Sequence, residues 1–168
     1  GSEMCIRDRT IDHINKTAQE RFDSIFLEIR TNFVKVFKEF FPNGEADLII
    51  EDDGDPLEAD IEIVANPKGK RMESLTLLSG GEKALTAISL LFGIYLVKPS
   101  PICILDEVDA PLDDNNVSRF LNTIKQFSRS TQFLMVTHNK LTMKAAHSLY
   151  GITMEESGVS KVVSVKLE

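Results

Sequence analysis

Three short blocks of this sequence carry residue types that could do chemistry together. Leu78-Ser79-Gly80-Gly81-Glu82-Lys83 sets a hydroxyl and two glycines ahead of an apolar helical run. Glycine permits positive φ and close approach of backbone to a ligand. A helix start offers free N–H groups and a positive dipole end to an anion. Ile102-Cys103-Ile104-Leu105-Asp106-Glu107 reads as an apolar strand ending in two carboxylates. Asp106, at the carboxyl edge of a sheet, suits Mg²⁺, directly or through water. Glu107 points elsewhere and can orient a water or accept its proton. Met135-Val136-Thr137-His138 ends a second strand in an imidazole able to donate to a phosphate oxygen. An anion cradle, a metal ligand, a base and a sensor are the parts needed to handle the γ-phosphate of ATP.

Each block also has a plainer reading. Ser79 can simply cap the helix after a tight turn. Asp106-Glu107 can be a solvated loop, although that reading must also account for Asp109 and Asp113 in the following turn. His138 alone can be a loop residue, and its weight comes from standing third in this order. The basic loop Lys68-Gly69-Lys70-Arg71 fits phosphate contact and solvation about equally. His13 and His147 have no such context. No G-x-x-x-x-G-K-[S/T] loop occurs in the sequence, so nothing evident grips the α- and β-phosphates.

The elements that must position these residues follow from periodicity. Ile11, Ile14, Ala18, Phe22, Ile25, Ile29, Phe33, Val36 and Phe40 recur at helical spacing, which predicts one long amphipathic helix over Thr10–Phe41. Its Phe-rich second half reads as docked, and Pro42-Asn43-Gly44 stops it. Alternation in Ala46–Ile50 and Ala59–Ala65 predicts a hairpin across the acidic turn Glu51–Pro56. Leu75–Leu78 leads into the Gly-Gly turn, and Glu82–Val97 reads as a buried helix. Ile102–Leu105 and Gln132–Thr137 read as strands followed by helices at Asn116–Phe127 and Leu141–His147. That pattern predicts an α/β fold with a buried parallel sheet and crossover helices. A final strand pair, Leu149–Met154 and Val159–Leu167, flanks Glu156-Ser157-Gly158.

The 168 residues suit one domain with a sizeable core. With 19 basic and 26 acidic residues the net charge is −7, which argues against a dedicated nucleic-acid binder but leaves room for a local basic patch. No apolar run reads as a membrane span, which needs about 20 residues. No secretory pattern is expected at the start. Cys5 and Cys103 suggest no disulfide framework and hence a reducing cytosolic compartment. Residues 1–9, including Met4–Arg9, fit no motif and read as a tag or non-native leader.

At these residues the chain resembles the ABC-type ATPases. Leu78–Lys83 is similar to the signature motif, Ile102–Glu107 to a Walker B strand, Asp109-Ala110-Pro111-Leu112-Asp113 to the D-loop, and His138 to the switch histidine. The order more narrowly resembles the carboxyl-terminal half of the ATPase head of bacterial SMC (structural maintenance of chromosomes) proteins, over about Ile11–Glu168. Leu77–Leu91, Leu105–Val117, Val136–His138 and the tail Leu149–Lys161 carry the likeness. Lys83 departs from the Arg that many relatives carry, and the two are not interchangeable at a bidentate contact.

The resemblance implies a P-loop NTPase-like (ABC-type) head. Residues 10–41 would be the root of a coiled-coil arm and 42–168 the carboxyl-terminal lobe. It implies that the amino-terminal half of the same protein brings the phosphate loop and that two heads sandwich two ATP molecules. Asp106 would help hold Mg²⁺, Glu107 would position the hydrolytic water and His138 would contact the γ-phosphate. Ser79, Gly80 and Gly81 would reach the γ-phosphate on the opposite head, with Asp109 at the dimer interface. The partners implied are a second head, a kleisin-type subunit and DNA, with no membrane, in the cytoplasm at the nucleoid. The function implied is ATP hydrolysis driving chromosome condensation and segregation. The alternatives are a RecN- or RecF-like repair ATPase, a transporter's nucleotide-binding domain, which normally carries its own phosphate loop, and a non-catalytic structural module.

Overall fold

The computed structural model describes residues 2–51, 59–68, 73–156 and 158–166. Most of the acidic turn Glu51–Pro56, residues 69–71 of the basic loop and Ser157 lie outside the described residues. The chain divides into two compact units, residues 1–100 and 101–168.

The first unit is built on α1 (Ser2–Phe40), α2 (Gly80–Val97) and a small antiparallel sheet. The helix α1 starts eight residues before the predicted Thr10, because residues 2–9 contain no proline or glycine to stop it. Its amino-terminal part leaves Ile11, Ile14 and Ile25 exposed, whereas Phe33, Val36, Phe37 and Phe40 are buried. Opposite them α2 buries Leu85, Ile88 and Phe92. The two helices come close at Gly93, where an added Cβ would lie 2.9 Å from the Phe33 nitrogen. The sheet pairs β1 (Glu45–Ile50), β2 (Ile61–Asn66) and the two-residue β3 (Glu73–Ser74), in that order. β1 and β2 form the predicted hairpin, with Leu48 opposite Ile63. The Arg30 guanidinium of α1 clamps the Asp47 carboxylate of β1 through two nitrogens. That contact holds the Asp47 carboxyl below its ordinary range, against a smaller opposing effect of burial.

By length and composition α2 alone among the described residues could cross a membrane, with 18 residues and high hydropathy. Core helices of globular proteins pass the same test, and its buried residues pack in a protein interior.

The second unit alternates strand and helix as predicted: β4 (Ile102–Asp106), α3 (Asp114–Phe127), β5 (Gln132–Val136) and α4 (Lys140–Ala145). β4 and β5 run parallel in register, with Asp106 opposite Val136, and α3 is the crossover that a parallel pair requires. α3 begins two residues before the predicted Asn116, because the Asp113 side chain accepts the Asn116 N–H at 2.8 Å and caps it. It buries Val117, Phe120, Leu121 and Ile124. α4 is capped by Asn139.

The expected buried parallel sheet is covered on one face only among the described residues. Leu105 is buried, but Ile102, Ile104, Leu134 and Val136 on the opposite face are 51%, 68%, 47% and 57% exposed. One crossover helix cannot cover two faces. The tail forms an antiparallel hairpin of β6 (Ser148–Glu156) and β7 (Val159–Lys166), with Gly158 at φ 83 in its turn. Tyr150, Ile152, Met154, Val162 and Val163 on it are all exposed.

Candidate functional site

The carboxyl ends of β4 and β5 bring Asp106, Glu107 and His138 to one edge of the second unit. Asp106 closes β4 and is exposed. Glu107 leaves the strand with φ 48, the only non-glycine residue at positive φ among the described ones, and its N–H donates to the Val136 carbonyl at 2.9 Å. This left-handed turn is costly for a side chain with a Cβ. It ends the strand abruptly. Glu107 Oε1 then lies 3.8 Å from His138 Nδ1, with the two side chains 62% and 75% exposed. At that exposure the attraction contributes little to stability, and both groups are open to a ligand.

Asp109 lies in the turn that follows β4. Its carboxylate faces inward, 2% exposed, and its Oδ2 accepts hydrogen bonds from the hydroxyls of Thr137, at 2.7 Å, and Thr142. Thr137 Oγ1 in turn accepts the Asn139 N–H at 2.9 Å, and Asn139 Oδ1 accepts the Leu141 N–H at 2.8 Å. Sequence reasoning missed Thr137, Asn139 and Thr142 as site residues. Only Asn139, a helix-cap type before a short apolar run, left a local signal.

Among the described residues no group of three or more His, Cys, Asp or Glu side chains is placed to hold a metal. Asp106 is one hard oxygen donor at an exposed strand end. That fits Mg²⁺, which keeps several waters and binds through one or two carboxylates plus substrate phosphates. Burial pushes the Cys103 thiol up, which suits an inert residue rather than a nucleophile.

In the first unit Ser79 is the N-cap of α2. Its hydroxyl donates to Glu82 Oε2 at 2.7 Å and its N–H to the same oxygen at 3.0 Å, while the Glu82 N–H returns to Ser79 Oγ at 3.4 Å. This is a capping box. The Ser79 hydroxyl and N–H, helped weakly by Lys68, hold the Glu82 carboxyl below its ordinary value against burial. Gly80 and Gly81 are not the positive-φ turn that the sequence suggested: they form the first turn of α2 itself. A Cβ at Gly80 would meet nothing within 4 Å among the described residues.

The family profile of the RecF/RecN/SMC N terminal domain matches residues 8–161. The chain belongs to this family. It is 59% identical over 161 residues to the chromosome partition protein Smc of Chlorobaculum tepidum, covering 95% of this chain and 14% of that protein. It therefore spans about one seventh of the length of this SMC relative. Among solved structures, the SMC head bound to the C-winged helix domain of ScpA superposes with a TM-score of 0.82 at 42% identity, over 91% of this chain and 47% of that one. A chain from work on ATP-driven dimerization and DNA-stimulated activation of SMC ATPases gives 0.80 at 40% identity, over 88% of this chain and 89% of that one. The fold is that of an SMC ATPase head.

Proposed function

We propose that this chain is the carboxyl-terminal half of an SMC head. In this reading α1 is the root of a coiled-coil arm, and residues 42–168 form the lobe that completes an ATP site begun by the amino-terminal half of the same protein. Three observations support it. The sequence has no phosphate loop. The β4–β5 pair leaves an apolar face uncovered, and each of its strands has one neighbour among the described residues. One matched SMC ATPase chain is covered to 89%, so it has a comparable extent.

The carrying observation is the shared edge of Asp106, Glu107 and His138. Asp106 would ligate Mg²⁺ beside the phosphates of bound ATP. The ion would neutralise charge on the transferred group. Glu107, 3.8 Å from His138 Nδ1, would hold the attacking water and accept its proton. His138, beside Glu107, would donate to a γ-phosphate oxygen. Ser79 and Gly80, exposed at the start of α2, and the half-buried Gly81 would meet the γ-phosphate held by a second head. ATP then joins two heads, and its hydrolysis releases them. The whole protein would use this cycle on DNA, in chromosome condensation and segregation at the nucleoid in the cytoplasm. A kleisin subunit such as ScpA would dock on the carboxyl-terminal strands.

In the complete protein, Glu107→Gln should keep ATP-dependent head association and lower turnover by roughly 10²- to 10⁴-fold, the range for loss of a general base. Ser79→Arg should abolish association while ATP binding persists. Normal turnover by Glu107→Gln in a steady-state phosphate-release assay would remove the role given to Glu107.

A further inference from the structure

Asp109 is the only buried carboxylate among the described residues. A carboxylate taken out of water is costly unless hydrogen bonds satisfy it, and an apolar residue would fill a purely packed turn at less cost. Asp109 has two hydroxyl donors, and they come from Thr137 and Thr142, 28 and 33 residues further along the chain. Such charge-assisted bonds are the stronger kind. His138 stands between Thr137 and Asn139, both held by this network, while its own ring stays in solvent. On the other side, Asp109 lies in the turn that starts at Glu107, where the Ala110 N–H donates to the Glu107 carbonyl at 3.1 Å.

We propose that Asp109 is a positioning residue: through Thr137 and Thr142 it pins the turn carrying His138 to the turn carrying Glu107, and so sets the spacing of that pair. This rests on the reading of Glu107 and His138 given above. Asp109 acts from beneath the site and touches no nucleotide. The buried network is the rigid part of the edge, and the two exposed side chains above it are the part that meets a ligand.

The test uses the complete protein. Thr142→Val keeps the shape and removes the hydroxyl; Thr142→Ser restores it. Thr142→Val should lower kcat for ATP about tenfold or more with KM little changed, since misplacement by about 1 Å can cost up to about 10²-fold. Thr142→Ser should recover the loss. Without nucleotide, amide exchange should quicken across residues 137–142 in Thr142→Val and stay unchanged in α2. The decisive readout is coupling: Thr142→Val added to His138→Ala should slow turnover no further than His138→Ala alone. A merely structural residue would multiply the two losses. Multiplied losses, or wild-type kcat in folded Thr142→Val, would overturn the clamp. If Thr142→Val does not fold, the pair Thr137→Ala and Thr137→Ser carries the same comparison. Normal turnover by His138→Ala would instead overturn the site reading on which the clamp rests.

Discussion

Ser79 spends both of its donors on one carboxylate. The hydroxyl and the N–H converge on Glu82 Oε2, at the positive end of α2 where a phosphate would land. Glu82 thus stabilises the helix start and holds negative charge beside it. Its carboxyl is held low chiefly by the Ser79 hydroxyl, and the sign follows. A depressed carboxyl contributes stability that is fully present above its ordinary value of 4.5 and is lost as pH falls through the lower folded value. Glu82→Gln cannot ionise and lacks this contribution. In thermal unfolding, wild type should exceed Glu82→Gln at neutral pH, and the gap should close as pH is lowered below 4.5. A gap that widens in acid would mean that Glu82 is not held by Ser79. At this scale the sequence showed residue types well and their partners poorly. Ser79-x-x-Glu82 is a local pattern and its cap was foreseeable. The bonds from Asp109 to Thr137 and Thr142 join residues far apart in sequence, and nothing local announces them.

Between elements, α1 and α2 cross closely at Gly93. A Cβ there would meet the Phe33 nitrogen at 2.9 Å, its Cα at 3.0 Å and its Cβ at 3.2 Å. Backbone atoms in two packed helices cannot step aside as a flexible side chain can. Alanine raises helix propensity by up to about 1 kcal/mol, but overpacking costs typically about 1–3 kcal/mol. Gly93→Ala should therefore lower stability by about 1–2 kcal/mol in chemical denaturation; an increase would show that α1 and α2 can separate without loss. Gly80→Ala has no such clash among the described residues, and in the proposed reading its effect should fall on ATP-dependent association. Element type was legible where periodicity was strong: the helices α1 and α2, the β1–β2 hairpin, and the alternation from β4 to α4. The two-residue β3 was missed because its pairing with β2 leaves no repeat to read. The boundaries moved where capping side chains set them, at Asp113 and Asn139.

For the whole molecule, apolar surface left in water decides what the chain needs. Ile102, Ile104, Leu134 and Val136 form an open face on a parallel pair, and parallel sheets are normally covered on both faces. The hairpin β6–β7 is exposed along β7 and along the described part of β6 except at the half-buried Leu149, and a lone hairpin is marginal in water. The sequence foretold the strands but not this bareness, because an apolar run reads the same whether its cover is in the same chain or another. Open strand edges also invite association with other chains. The amino-terminal head half is the proposed cover for β4–β5, since it would bring the missing phosphate loop to the same edge. Alone, this chain should hydrolyse no ATP and should self-associate as concentration rises. Joined to the amino-terminal half, it should become monodisperse without nucleotide and gain turnover that rises more steeply than linearly with protein concentration, because in the proposed reading each site needs a second head. Glu107→Gln in the joined form should remove that turnover. Activity in the chain alone would reveal a nucleotide site that its sequence does not show. Linear dependence on concentration in an active joined head would mean that one head suffices, and Ser79, Gly80 and Gly81 would then lose the role proposed for them in a facing site.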